Sequence, residues 1–192
     1  VTSDITITTV GDQTPIAPGY KVSDVTRNGR RTARFVTEAP ILNFLSVQSA
    51  RYEVARQVHD GIELAVYHHP GHERNIDRMF QSLKTGLDYF QANFSPYQFR
   101  QVRIIEFPAY AQFAQAFANT IPYSEGLGFI ADFRDPEKID YVTYITAHEL
   151  GHQWWAHQVV SSDQQGSTTL TETLAQYSAL MVMKETYGED QI

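Results

Sequence analysis

The spacing of apolar residues changes once along this chain, close to His68, and that change limits the architectures open to it. From Asp4 to about His68 the apolar residues alternate with polar ones, as in "DITITTV", "YKVSDVT" and "RTARFVTE". The last two runs flank Asn28-Gly29, a dipeptide that favours a tight hairpin turn, and "NFLSVQSARYEVARQV" and "IELAVYH" meet in the same way at His59-Asp60-Gly61. An antiparallel β region is predicted. After "HHPGHERN", residues Ile76, Met79, Phe80, Leu83, Leu87, Phe90 and Phe94 recur at intervals of three and four, the spacing of a long amphipathic helix. "QVRIIEF" and "GFIADF" read as strands, and Asp135-Pro136 has the residues of a helix start, from which a helix would run to about Val159. A polar loop, "SSDQQGSTT", precedes a last helix, "LTETLAQYSALMVMKETYG". The expected class is α+β, with residues 1–66 forming a β part and 67–192 an α+β part.

Composition narrows the function. With 42% apolar and 12% aromatic residues, the 192-residue chain can bury a sizeable core. A net charge of -7 without a basic cluster argues against nucleic acid and anionic membranes as partners. The absence of cysteine means that any metal must be held by imidazole and carboxylate groups. No apolar run approaches the roughly 20 residues of a membrane-spanning helix. The chain opens on Val1 without a methionine or a signal-like segment, so it is expected to be part of a larger parent protein; its compartment stays open.

The stretch "AHELGHQWWAHQ", residues 147–158, carries the chemistry. On a helix, positions 148 and 152 are about 400° apart, so both imidazoles project from one face. Glu149 is turned by roughly 100°, placed to reach a water on a metal rather than the metal itself. A catalytic zinc needs a third protein ligand and an open fourth position, and Glu172 in "LTETLAQY" can supply the third if the two helices pack antiparallel. A satisfied core cluster is the alternative, but apolar neighbours Val142, Ile145, Leu150, Trp154 and Trp155 would bury this face, and buried imidazoles and carboxylates need partners. One Zn²⁺ per chain is expected. His68, His69 and His72 have no carboxylate at ligand spacing and read as a solvated turn; His157 points away from the ligand face, and Trp154 and Trp155 read as core and wall.

His148-Glu149-x-x-His152 followed by Glu172, with "HELGHQWW" and "LTETLAQY", resembles the gluzincin metallopeptidases and among them the aminopeptidase N family. "YHHPGH" leading into a long helix, and the "SPYQF" turn before a strand, resemble the passage from that family's amino-terminal β domain to its thermolysin-like catalytic domain, of which residues 67–192 would be the first part. The resemblance implies peptide hydrolysis with His148, His152 and Glu172 as zinc ligands and Glu149 as general base. It also implies that Glu125, in "PYSEGLGF", holds the free α-amino group of a peptide substrate.

This chain departs from the family pattern in four places. Pro122, Ser124 and Gly126 replace the glycine, methionine and asparagine of the amine-binding signature. Glu172 follows His152 by 20 positions, the thermolysin-like spacing, where the aminopeptidases use 19. Gln176 stands one turn after Glu172, where a carboxylate commonly orients a zinc histidine. The family's oxyanion-stabilising tyrosine lies beyond Ile192, so the chain alone is expected to hydrolyse little. A thermolysin-like endopeptidase and a zinc-containing peptide-binding domain remain alternatives to the aminopeptidase.

Overall fold

The structure is a computed structural model that describes residues 1–135 and 138–189. Seven strands come first: β1 (Asp4–Val10), β2 (Thr14–Ile16), β3 (Tyr20–Arg27), β4 (Arg30–Val36), β5 (Gln48–Ala50), β6 (Glu53–His59) and β7 (Ile62–His68). Both predicted hairpins form. Asn28 and Gly29 have φ of 50° and 71°, and Asp60 and Gly61 have 48° and 78°. Positive φ at both central residues gives the turn whose twist matches the flanking strands. Strands β1, β4 and β3 make a three-stranded antiparallel sheet, while β2 pairs with β5.

Helix α1 (Ile76–Asn93) follows, then β8 (Gln101–Phe107) and β9 (Thr120–Ser124), which continue a second sheet in the order β6-β7-β8-β9. In that sheet β7 runs parallel to β8 and β8 parallel to β9. Ile76, Met79, Phe80, Leu83, Leu87 and Phe90 of α1 pack with Leu64, Val66, Val102, Ile104 and Ile121 of the sheet in the main core. Helices α2 (Tyr141–Gly151) and α3 (Ser167–Tyr187) complete it, contributing Val142, Ala147, Leu150, Ala179 and Val182. No helix among the described residues is long and apolar enough to cross a membrane.

Two expectations change. The segment read as the strand "GFIADF" is a π-helical turn, Glu125–Phe129, followed by irregular backbone; the strand lies before it, at β9. Gly128 packs where an added Cβ would lie 2.9 Å from Met79 Cε and 3.0 Å from Tyr123, so this backbone sits against α1 and β9 instead of extending. Helix α2 is shorter at both ends than the span from 135 to 159. Asp140, not Asp135, caps its start, its carboxylate accepting from the Thr143 backbone N–H at 3.1 Å; Pro136 lies outside the described residues. At the other end the Trp154 indole N–H donates to the Ser95 carbonyl and the Trp155 indole N–H to Ser178 Oγ, both at 2.9 Å, drawing the chain off the helix axis. Residue 66 lies within β7, which pairs with β8; we propose that the passage from the β part to the α+β part falls there.

Candidate metal centre

His148 lies within α2 and His152 caps its end, so a single turn of backbone fixes the pair. Their Nε2 atoms are 3.2 Å apart. Helix α3 packs against α2 at Gly151, where an added Cβ would lie 3.4 Å from Ala175 Cα, at van der Waals contact. That approach brings Glu172 Oε2 to 3.3 Å from His148 Nε2 and 3.4 Å from His152 Nε2.

The spacing tests the donor set. A tetrahedral zinc with bonds of roughly 2.0–2.1 Å separates its ligand atoms by about 1.63 bond lengths, or roughly 3.3–3.4 Å. All three separations here fall at or just below that value. The His152 Nδ1–H donates to the Trp155 carbonyl at 3.0 Å, which leaves the Nε2 lone pair directed at the shared point. Two imidazole nitrogens and a carboxylate oxygen converging on one point suit a cation, and the residues present fit zinc. Glu172 is about half exposed and His152 buried, so the site opens to solvent on the Glu172 side.

Burial, with the neighbouring His152 second, lowers the pKa of His148, which favours the neutral ligand form. Glu149 is 6% exposed and its Oε2 has no hydrogen-bond partner. Burial, reinforced by the Glu172 carboxylate, pushes its pKa up to about 8, while the Ala116 backbone pulls the other way. Gln176 is exposed and makes no hydrogen bond among the described residues, so it orients neither imidazole. His157 is a structural residue, its Nε2–H donating to the Ala116 carbonyl at 3.1 Å. Trp154 is core, as expected, at 1% exposure.

Glu125 opens the π-helical turn after β9, and its Oε1 accepts from the Ala109 backbone N–H at 2.8 Å. Near it the structure corrects the reading of the early histidines. His68 is buried, and His72 Nδ1 meets the fully buried carboxylate of Glu106, which also accepts from the His69 backbone N–H at 2.6 Å. One ligand-type atom from each of His72, Glu106 and Glu125 lies within 4.8 Å of the others. Glu106 escaped the sequence reading. Its signal was an acid in the otherwise apolar end of "QVRIIEF", in a strand covered on both faces.

The sequence is 27% identical over 134 residues to human endoplasmic reticulum aminopeptidase 2, covering 68% of this chain and 14% of that protein. Two solved structures of the M1 zinc metallopeptidase from Deinococcus radiodurans, one a glutamate-to-alanine variant, superpose on 99% of this chain and 42% of theirs. Their TM-scores are 0.74 and 0.73, at 20% and 21% identity. The chain resembles the aminopeptidase N family of zinc metallopeptidases. No protein-family model matches it. Glu172, 20 positions after His152, stands beside both histidines. The chain spans less than half the length of each of these relatives.

Proposed function

We propose that this chain holds one zinc ion through His148, His152 and Glu172 and serves a metallopeptidase that removes amino-terminal residues from peptides. The triangle of ligand atoms, with edges of 3.2–3.4 Å, carries this reading. Bound there, zinc would polarise a peptide carbonyl and bring the pKa of a water near 7. Glu149 would serve as the general base and carry the proton to the departing amine. Its burial raises its proton affinity toward neutral pH, the range in which a base can also act as an acid. Glu125 receives the α-ammonium group of the substrate, with His72 and Glu106 each placing a polar atom within 4.8 Å of its carboxylate.

The deciding experiment measures zinc by mass spectrometry in the chain and in Glu172→Ala, with hydrolysis of aminoacyl anilides and amino-blocked peptides on the same samples. One zinc per chain, lost in the variant, and cleavage of the free-amine substrate are expected. No zinc after reconstitution would overturn the metal site. A preference for blocked peptides, unaffected by Glu125→Gln, would make the protein an endopeptidase, the reading that the 20-residue ligand spacing favours.

A further inference from the structure

The face of the second sheet turned away from the helices holds a cation that forms no ion pair among the described residues. Strand β8 directs Val102 and Ile104 into the core, so Arg103 between them faces the opposite side, toward the amino-terminal strands. It is 4% exposed. Its Nη2 donates to the Ala17 carbonyl at 3.0 Å, Thr120 Oγ1 at 2.7 Å and Asn119 Oδ1 at 3.2 Å, all neutral acceptors. Its Nε is buried without a partner, and among the described residues no carboxylate forms an ion pair with it. A guanidinium keeps its charge, and a buried charge without a partner of opposite sign is costly.

Arg103 forms part of the wall of a cavity of about 330 Å³ that also meets Lys21, Arg56, Arg100, Tyr20 and Tyr67. The other cations there already have acids. Lys21 pairs with Asp24 at 2.7 Å, Arg56 holds Glu63 at 3.4 Å, and Arg100 pairs with Glu38 while stacking on Tyr20, its guanidinium carbon 3.8 Å from the ring centre. Arg103 alone among the cations of that wall forms no ion pair, and Glu63, in the same wall, is engaged by Arg56. The weak Arg56–Glu63 pair leaves a second, half-exposed guanidinium able to turn inward.

We propose that this cavity binds a small oxyanion, a phosphate or carboxylate group, held by Arg103 from within and Arg56 at the rim. Its volume lies at the small end of ligand sites, and a guanidinium presents paired N–H groups that match both anions. The assignment is independent of the metal centre.

The test is thermal unfolding and titration calorimetry of the zinc-loaded chain with inorganic phosphate and with succinate, against sodium chloride of equal ionic strength. With a Kd on the order of 1 mM, 10 mM anion raises the folded-to-unfolded ratio about elevenfold. Response to one anion assigns its chemistry; response to both assigns a general oxyanion site. Arg103→Gln removes the response. If that variant does not fold, Arg56→Gln decides: weakening of about tenfold leaves only an approximately twofold rise at 10 mM. No response beyond that of chloride, or a response unchanged in Arg56→Gln, overturns the proposal; anion bound at the zinc would persist in that variant.

Discussion

Replacement of Asp140 by alanine tests whether one carboxylate ties helix α2 to the rest of the core. Asp140 accepts from the Thr143 backbone N–H at 3.1 Å, from the Thr143 hydroxyl at 2.9 Å and from the Tyr187 hydroxyl at 2.7 Å, and it pairs with Arg78 of α1. Losing an N-cap costs about 1 kcal/mol. A fully buried ion pair broken on one side costs roughly 3–5 kcal/mol, but Arg78 is a third exposed, and screening reduces its share to about 1–2 kcal/mol. With the hydroxyl partners left over, the sum is about 3 kcal/mol. For a chain of this size that is a fall in Tm of roughly 6–12 °C, and urea unfolding should give the same loss. Asp140→Asn keeps the cap while losing the charge, so about 1–2 kcal/mol is expected. Burial raises the Asp140 pKa, but hydrogen bonds from Tyr187, Thr143 and Arg78 outweigh it, and the folded value lies below the usual 3.8. A depressed carboxyl pKa stabilises the fold fully above the unfolded value, and that contribution fades as pH falls below about 4. A loss under 1 kcal/mol in Asp140→Ala, or an asparagine variant as damaged as the alanine one, would refute this reasoning.

At Gly151, alanine should be tolerated because its Cβ meets Ala175 at ordinary contact distance, whereas Gly151→Val should push α3 outward and weaken zinc binding at least tenfold by competition with a chelating dye. Glu149→Gln should keep zinc, by mass spectrometry, and slow hydrolysis by about 10²–10⁴-fold; near-normal turnover would remove Glu149 from the mechanism. Glu106→Leu should cost about 1–3 kcal/mol in urea unfolding, because it leaves the partly buried His69 backbone N–H without its acceptor.

Features written within a few residues were legible in sequence, and features written between distant segments were not. Asn28-Gly29 and Asp60-Gly61 announced their turns, and the stripe from Ile76 to Phe90 announced α1, because each depends on local backbone preference or on one helical period. His148 and His152 were readable for the same reason. Glu172 needed only the inference that two consecutive helices pack side by side. Strand β9 was missed because Pro122 argues against a strand; it ends the four-stranded sheet, and on its outer side the Pro122 carbonyl accepts from the Gln115 backbone N–H at 3.1 Å. The α2 start was misplaced because Asp135-Pro136 and Asp140 both fit a helix cap locally, and the choice is made by Arg78 and Tyr187, far away in sequence. Glu106 was missed because its partners come from the loop after β7, 34 and 37 residues distant.

The metal centre follows a division of labour that local sequence alone would not predict. Its two histidines are held by short-range backbone geometry, one inside the last turn of α2 and one at its cap, whereas Glu172 stands on a separate helix and is half exposed. Such a site can keep its imidazole pair fixed while the carboxylate adjusts as ligands enter or leave the open side. The arrangement works against stability: His148 Nδ1 and Glu149 Oε2 are buried without partners, each a deficit of about 1–3 kcal/mol. Leu150, buried on the same helix against Gly86 of α1, recovers a similar amount, since burying a leucine side chain contributes about 1.5–3 kcal/mol. Helix α2 is therefore held by its apolar face and its Asp140 anchor, not by the polar residues it presents. Loss of either support should loosen the metal site before it unfolds the sheet.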